Sequence, residues 1–253
     1  MPFAPRILGR TNLRVGPLGM GASYGVPAAA VERAFEEGIN YLYWGSARRG
    51  GFAEALRNLA NRRDRLVLVM QSFARVAFLI EGSLRRGLRR IGYDHADVLL
   101  LGLWNQPPPE RILDAARDLR ERGLVRFLAI SSHHRPTLAK LAAAGDFDVL
   151  HFRYNAAHPG AESEIFPYLC GANRPGAVAY TATNWGRLLR AKVAGEPVPT
   201  AADCYRFVLT RPEVDICLSG PANAAQAEEA LRALRPGPMS EEELAWMRRI
   251  GRS

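Results

Sequence analysis

Eight short apolar runs, each followed by a segment with helical spacing of its apolar residues, are the strongest constraint on how this chain folds. The runs are Leu18 to Gly21, Asn40 to Trp44, Leu66 to Gln71, Asp97 to Leu101, Phe127 to Ser131, Val149 to Tyr154, Ala177 to Thr181 and Asp215 to Ser219. Helical periodicity is read near 28–37, 51–61, 76–91, 109–122, 136–143, 161–171, 201–210 and 223–234. A ninth helix is expected at Ser240 to Ile250, where Ser-Glu-Glu-Glu opens it as a capped N-terminus does. Strand followed by helix, repeated eight times, is the pattern of an α/β fold, the (β/α)8 TIM barrel. An open doubly wound sheet is the competitor, and no G-x-G-x-x-G follows the first strand to support it. Arg6 to Val15 reads as an N-terminal hairpin that closes the barrel floor.

The 253 residues suit one barrel, so residues 1–253 are expected to form a single domain. No apolar run reaches the length of a membrane span, and the N-terminal MPFAPRILGR lacks the apolar core of a signal peptide. Three cysteines without metal-type spacing suit a reducing compartment, so the expectation is a cytoplasmic protein without membrane partners. The formal net charge of +9 raises nucleic acid as a partner. Its arginines, however, are spread along helix faces. In Leu84-Arg85-Arg86-Gly87-Leu88-Arg89-Arg90-Ile91 the apolar residues share one face and the arginines the other, so no nucleic-acid partner is expected.

A barrel of this type carries its site at the C-terminal strand ends. Those ends hold Tyr43, Gln71, Trp104, Asn105, Ser131, Ser132, His133, His151, Tyr180 and Ser219. The set is aromatic and hydrogen-bonding, and it is poor in carboxylates. Paired-carboxylate glycoside chemistry and metal-assisted hydrolysis both need acids there, so neither is expected, nor is a bound metal. A small-molecule substrate is the partner that such a mouth suits.

LGRTNLRVGPLGMGAS, GIN, RRIGYDHADVLLL, GLVRFLAISS, RYN, VAYTAT and LSGPANAAQAEEAL follow one another along the chain. In order and spacing they resemble the aldo-keto reductases. The resemblance implies a nicotinamide cofactor, NADP or NAD, lying across the mouth, and an Asp, Tyr, Lys and His around the reacting carbon. Here those four positions hold Tyr43, Arg48, Gln71 and Gly102. The only lysines, Lys140 and Lys192, lie in a helix and a late loop, so no strand end carries one. Arg48 does not replace an acid, because a guanidinium does not release its proton. Tyr43 is therefore the candidate acid, with Arg48 and Gln71 as its companions.

The cofactor half of the resemblance is better kept. It implies that Ser131, Ser132 and His151 meet the nicotinamide amide and that Tyr180 stacks on its ring. Ser219 and Gly220 would lead the phosphates to a helix N-terminus, and Gln226 and Glu229 would face the adenosine. Trp44, Trp104, Asn105 and His133 are candidate substrate contacts. The chain is short for that family, which implies an open pocket unless a second copy closes it, as in a homodimer. Three functions stay open at this point: an oxidoreductase with a non-standard site, a non-catalytic nucleotide-binding or regulatory barrel, and a lyase or isomerase on the same fold.

Overall fold

The first barrel strand is four residues long and contains two glycines, and its neighbours explain why. The computed structural model describes residues 2–45 and 50–253. β1 (Arg6–Ile7) and β2 (Arg14–Val15) form a small antiparallel hairpin. The barrel strands are β3 (Leu18–Gly21), β4 (Tyr41–Trp44), β5 (Val67–Ser72), β6 (Ala96–Leu101), β7 (Val125–Ser132), β8 (Val149–Arg153), β9 (Gly176–Tyr180) and β10 (Ile216–Ser219). They pair in parallel and close on themselves, β10 beside β3. Inward positions recur every second residue, as in any strand. Tyr41, Val69, Val98, Ala129, Val149, Val178 and Ile216 form the inner core. A Cβ on Gly19 would stand 2.7 Å from Leu218 and 3.1 Å from Tyr41, so the bare backbone there is what admits the Tyr41 ring.

The hairpin fills the barrel floor as expected. Leu8, Leu13 and Val15 join the inner core, and Thr11 holds the turn by donating to the Leu8 carbonyl at 2.7 Å. Around the barrel lie α1 (Ala28–Glu36), α2 (Phe52–Asn58), α3 (Ala77–Ile91), α4 (Glu110–Glu121), α5 (Arg135–Ala144), α6 (Ala161–Glu164), α7 (Ala201–Leu209), α8 (Ala224–Arg232) and α9 (Glu241–Gly251). The helix expected over 161–171 breaks after α6 into a 3-10 turn at Phe166–Tyr168. Pro167 accounts for this: it lacks an N–H and keeps its predecessor out of the helical region. The helix expected over 51–61 likewise ends at Asn58 and passes into a 3-10 stretch at Ala60–Arg65. At α9, Ser240 and Glu243 form the reciprocal cap that the sequence announces, and buried Arg206 of α7 grips Glu243 at 2.7 and 2.9 Å. Among the described residues, no helix is long and apolar enough to cross a membrane.

The floor is tied by a repeated device. Asp97, Asp148 and Asp215 each stand one residue before the first paired position that β6, β8 or β10 makes with the strand before it, or within its first turn of pairing. Each carboxylate accepts the backbone N–H of a residue on that neighbouring strand: Leu68 at 2.8 Å, Leu128 at 2.9 Å and Ala177 at 2.9 Å. Before β4 a related part is played by Asn40, whose Oδ1 accepts the N–H of Gly16, in the link between β2 and β3, at 3.0 Å. Arginines complete the acids: Arg63 and Arg126 on Asp97, Arg10 on Asp148, and Arg174 bidentate on Asp215. Removing one partner of a buried ion pair costs about 3–5 kcal/mol, because the other charge is left uncompensated. Asp215→Ala is therefore expected to lower Tm by roughly 10 °C in a chain of this size, read by thermal denaturation.

Candidate active site

Inward alternation on β4 sends Tyr41 and Tyr43 into the barrel and Leu42 and Trp44 out toward the helices. Trp44 is fully buried in the outer layer and does not line the mouth. The mouth is a cavity of about 500 Å3. Of the residues expected at the site, Tyr43, Gln71, Ser131, His133, His151, Tyr180, Ser219, Gly220, Gln226 and Glu229 line it together. Arg48 lies outside the described residues. Trp104 and Asn105 do not reach the cavity. Trp104 packs under the Arg75 guanidinium, 4.0 Å from its ring centre, and Asn105 faces a neighbouring groove beside His133. Ser132 points away too: its hydroxyl lies 3.1 Å from Asn105 Oδ1 and accepts His134 N–H at 2.9 Å. Ser132 and Asn105 thus tie two loops together.

On the cavity floor the Tyr43 hydroxyl donates to Gln71 Oε1 in a short hydrogen bond. Gln71 has room for this because position 102 is glycine. A Cβ there would lie 2.2 Å from Gln71 Nε2 and 2.7 Å from the Phe73 ring. The amide and the Phe73 ring therefore occupy the volume that a side chain at position 102 would need.

One turn of the pleat deeper, the Tyr41 hydroxyl and His151 Nε2 are 2.8 Å apart. Burial pushes the Tyr41 phenol well above its ordinary value, and burial alone lowers His151 to about 3. Desolvation penalises the charged form in both, so the pair is a neutral phenol and a neutral imidazole. Tyr180 donates to the Ser132 carbonyl at 3.1 Å, and burial raises its phenol as well. Ser131 Oγ accepts Leu103 N–H at 2.9 Å, which leaves its own O–H to donate.

Toward α8, Ser219 donates to the Gly19 carbonyl at 2.8 Å and so stitches β10 to β3. Asn223 caps α8 by accepting Gln226 N–H at 2.9 Å, and the Gln226 side chain accepts Ala222 N–H at 2.8 Å. Glu229 is held by Arg232 at 2.8 Å. The rim also uses residues that had no assigned role: Tyr24, Phe73, Leu103, Trp185, Leu189 and Tyr205. Thr181, Asn184 and Trp185, in the loop after β9, all have φ between 50° and 59°, a region that non-glycine residues seldom occupy. Such positions cost energy and concentrate at functional rims. No cysteine is among the described residues lining the cavity, and burial raises the Cys204 thiol to about 12 and the Cys217 thiol further. Among the described residues no cluster of His, Cys, Asp or Glu is disposed to hold a metal.

The aldo/keto reductase family profile matches residues 27–203, and the chain belongs to that family. Solved structures agree in fold. An aldo-keto reductase, AKR11C1 from Bacillus halodurans in its holo form, superposes with a TM-score of 0.80 at 20% identity. That match covers 97% of this chain and 95% of the other. An aldo/keto reductase from Klebsiella pneumoniae in complex with NADP and acetate gives 0.80 at 21% identity, covering 96% and 93%.

Two measurements follow. His151 titrates near 6.5 in the unfolded chain and about 3 in the folded one, so between those values only the unfolded chain takes up the proton. Its stabilising contribution is complete above pH 6.5 and is lost as pH falls toward 3. The His151 ring resonances are expected to stay unchanged in an NMR titration from pH 8 to 5, and an inflection near 6.5 would contradict the buried pair. Gly102→Ala is expected to displace the Gln71 amide and to destabilise by about 1–3 kcal/mol, read by chemical denaturation.

Proposed function

We propose that this chain interconverts a carbonyl compound and its alcohol with NAD or NADP in the barrel mouth, using Tyr43 as the proton donor. The observation that carries this reading is the Tyr43 phenol, set on the cavity floor by Gln71 and lining the same space as His151, Ser131 and Tyr180. The family and the NADP held by the Klebsiella pneumoniae relative support the cofactor.

The residues present fit a dinucleotide. Ser131 has an O–H to offer to a carboxamide, Tyr180 presents an aromatic face, and Ser219 and Gly220 lead to the capped N-terminus of α8, where backbone amides favour phosphate. No lysine or arginine is among the described residues lining the cavity, so the phosphates would rely on those amides. The proposal accordingly covers both NAD and NADP.

When bound, the dinucleotide supplies or accepts the hydride at the substrate carbon. Tyr43 turns its O–H from Gln71 to the carbonyl oxygen and releases the proton as negative charge grows there. Gln71 orients the phenol but brings no charge, whereas an ammonium at that position would stabilise the phenolate left behind. Slow turnover is the consequence. Neutral His151 offers the substrate oxygen one hydrogen bond without competing for the proton. The aromatic rim of Tyr24, Phe73 and Trp185 excludes water from the reacting atoms.

A second reading, a nucleotide-binding barrel without turnover, is favoured by the same Gln71 and Phe73 packing over Gly102, which puts a neutral amide against the phenol. The Tyr43→Phe variant separates the two. Under the first reading it loses about 100-fold or more in kcat while its dinucleotide Kd, read by calorimetry, changes less than about twofold. Wild-type protein that binds the dinucleotide but turns over no carbonyl in a broad panel supports the second. Absence of binding at millimolar dinucleotide overturns both.

A further inference from the structure

The inward side of β8 runs Val149, His151, Arg153: the first belongs to the inner core, the second bonds Tyr41, and the third emerges at the rim in register with Tyr180. Arg153 is only partly exposed, and its Nε is shut away from solvent with no hydrogen-bond acceptor. Among the described residues no carboxylate pairs with it. Other half-buried arginines of the chain are matched: Arg63 with Asp97, Arg135 with Glu164, Arg174 with Asp215 and Arg206 with Glu243. A guanidinium N–H left unpaired away from water costs about 1–3 kcal/mol, so this rim is built with a deficit that an anion would remove.

The neighbours do not supply that anion. His133 and His158 are held below the ordinary histidine value by partial burial and then by the Arg153 charge, so both are neutral at physiological pH and leave that charge uncancelled. His133 and Tyr180 line the cavity, their rings 6.0 Å apart, and Arg153, paired with Tyr180 across the strands but not itself a lining residue, stands behind that wall. The carboxylate among the lining residues, Glu229, belongs to α8 and is already engaged by Arg232.

We propose that Arg153, at the mouth end of β8 beside the cavity wall, holds an anion, so that the site takes carbonyl compounds that bear a carboxylate in preference to neutral ones. A single guanidinium matches a carboxylate through two parallel N–H donors, and its one charge balances a monoanion. The assignment deepens the reading of the mouth as a carbonyl site and rests on it for the rest of the ligand.

The test is a calorimetric titration of phenylglyoxylate and of its neutral amide, phenylglyoxylamide, into wild type, Arg153→Gln and Arg153→Lys. Each is measured with the protein alone and with the protein saturated with NADP. Thermal melting checks that the variants fold. Wild type is expected to bind the acid about tenfold more tightly than the amide, the worth of one charge-assisted contact. Arg153→Gln is expected to bring that ratio to about one, and Arg153→Lys to keep part of it. A wild-type ratio near one, a ratio that survives Arg153→Gln, or no binding of the acid at millimolar concentration overturns the proposal. A preference for the acid that depends on Arg153, in a protein that shows no turnover with either dinucleotide, upholds the anion contact while removing the carbonyl reduction.

Discussion

A side-chain acceptor at the start of every second barrel strand, taking a backbone N–H from the strand beside it, is the constraint on which the rest of this structure depends. Asp97, Asp148 and Asp215 pin β6, β8 and β10 against β5, β7 and β9, and Asn40 ties the start of β4 to Gly16, just before β3. A one-residue slip in any pair would turn every inward side chain outward. The three carboxylates are in turn held by arginines, which neutralise them at the floor.

What reaches the mouth is decided by the pleat. Gly19 leaves room for Tyr41, and two residues on Tyr43 takes the next inward place, above the Tyr41 and His151 pair. The departures from the family's pattern are coherent with one another. Position 102 is glycine, and the Gln71 amide and the Phe73 ring fill the space that a side chain there would take. Tyr43 then bonds the neutral Gln71 amide. The mouth brings together a phenol, an aromatic wall and a helix N-terminus.

The fold was legible in the sequence because alternation and helical spacing are local signals. Leu18 to Gly21 was bounded to the residue, and the helix errors fall where Pro167 or a change to 3-10 geometry intervenes. The cavity was legible where strand ends point inward: Tyr43, Gln71, Ser131, His151 and Tyr180 converge. Trp44 did not join them, and the alternation that places Tyr43 inside was enough to send its neighbour outside. Trp104, Asn105 and Ser132 were harder to read, since their loops follow no period. Their direction is set by contacts such as Arg75 over Trp104, between residues far apart in the chain. Phe73, Leu189 and Tyr205 reach the rim from loops and a helix for the same reason.

The most direct test of the central claim is a crystal structure of the protein soaked with NADP or NAD. The account predicts the nicotinamide ring against Tyr180, its carboxamide at Ser131, and its reactive carbon facing Tyr43 across a space wide enough for a carbonyl. A ring bound elsewhere, or a cavity in which Tyr43 and Gln71 remain closed to it, would contradict that account.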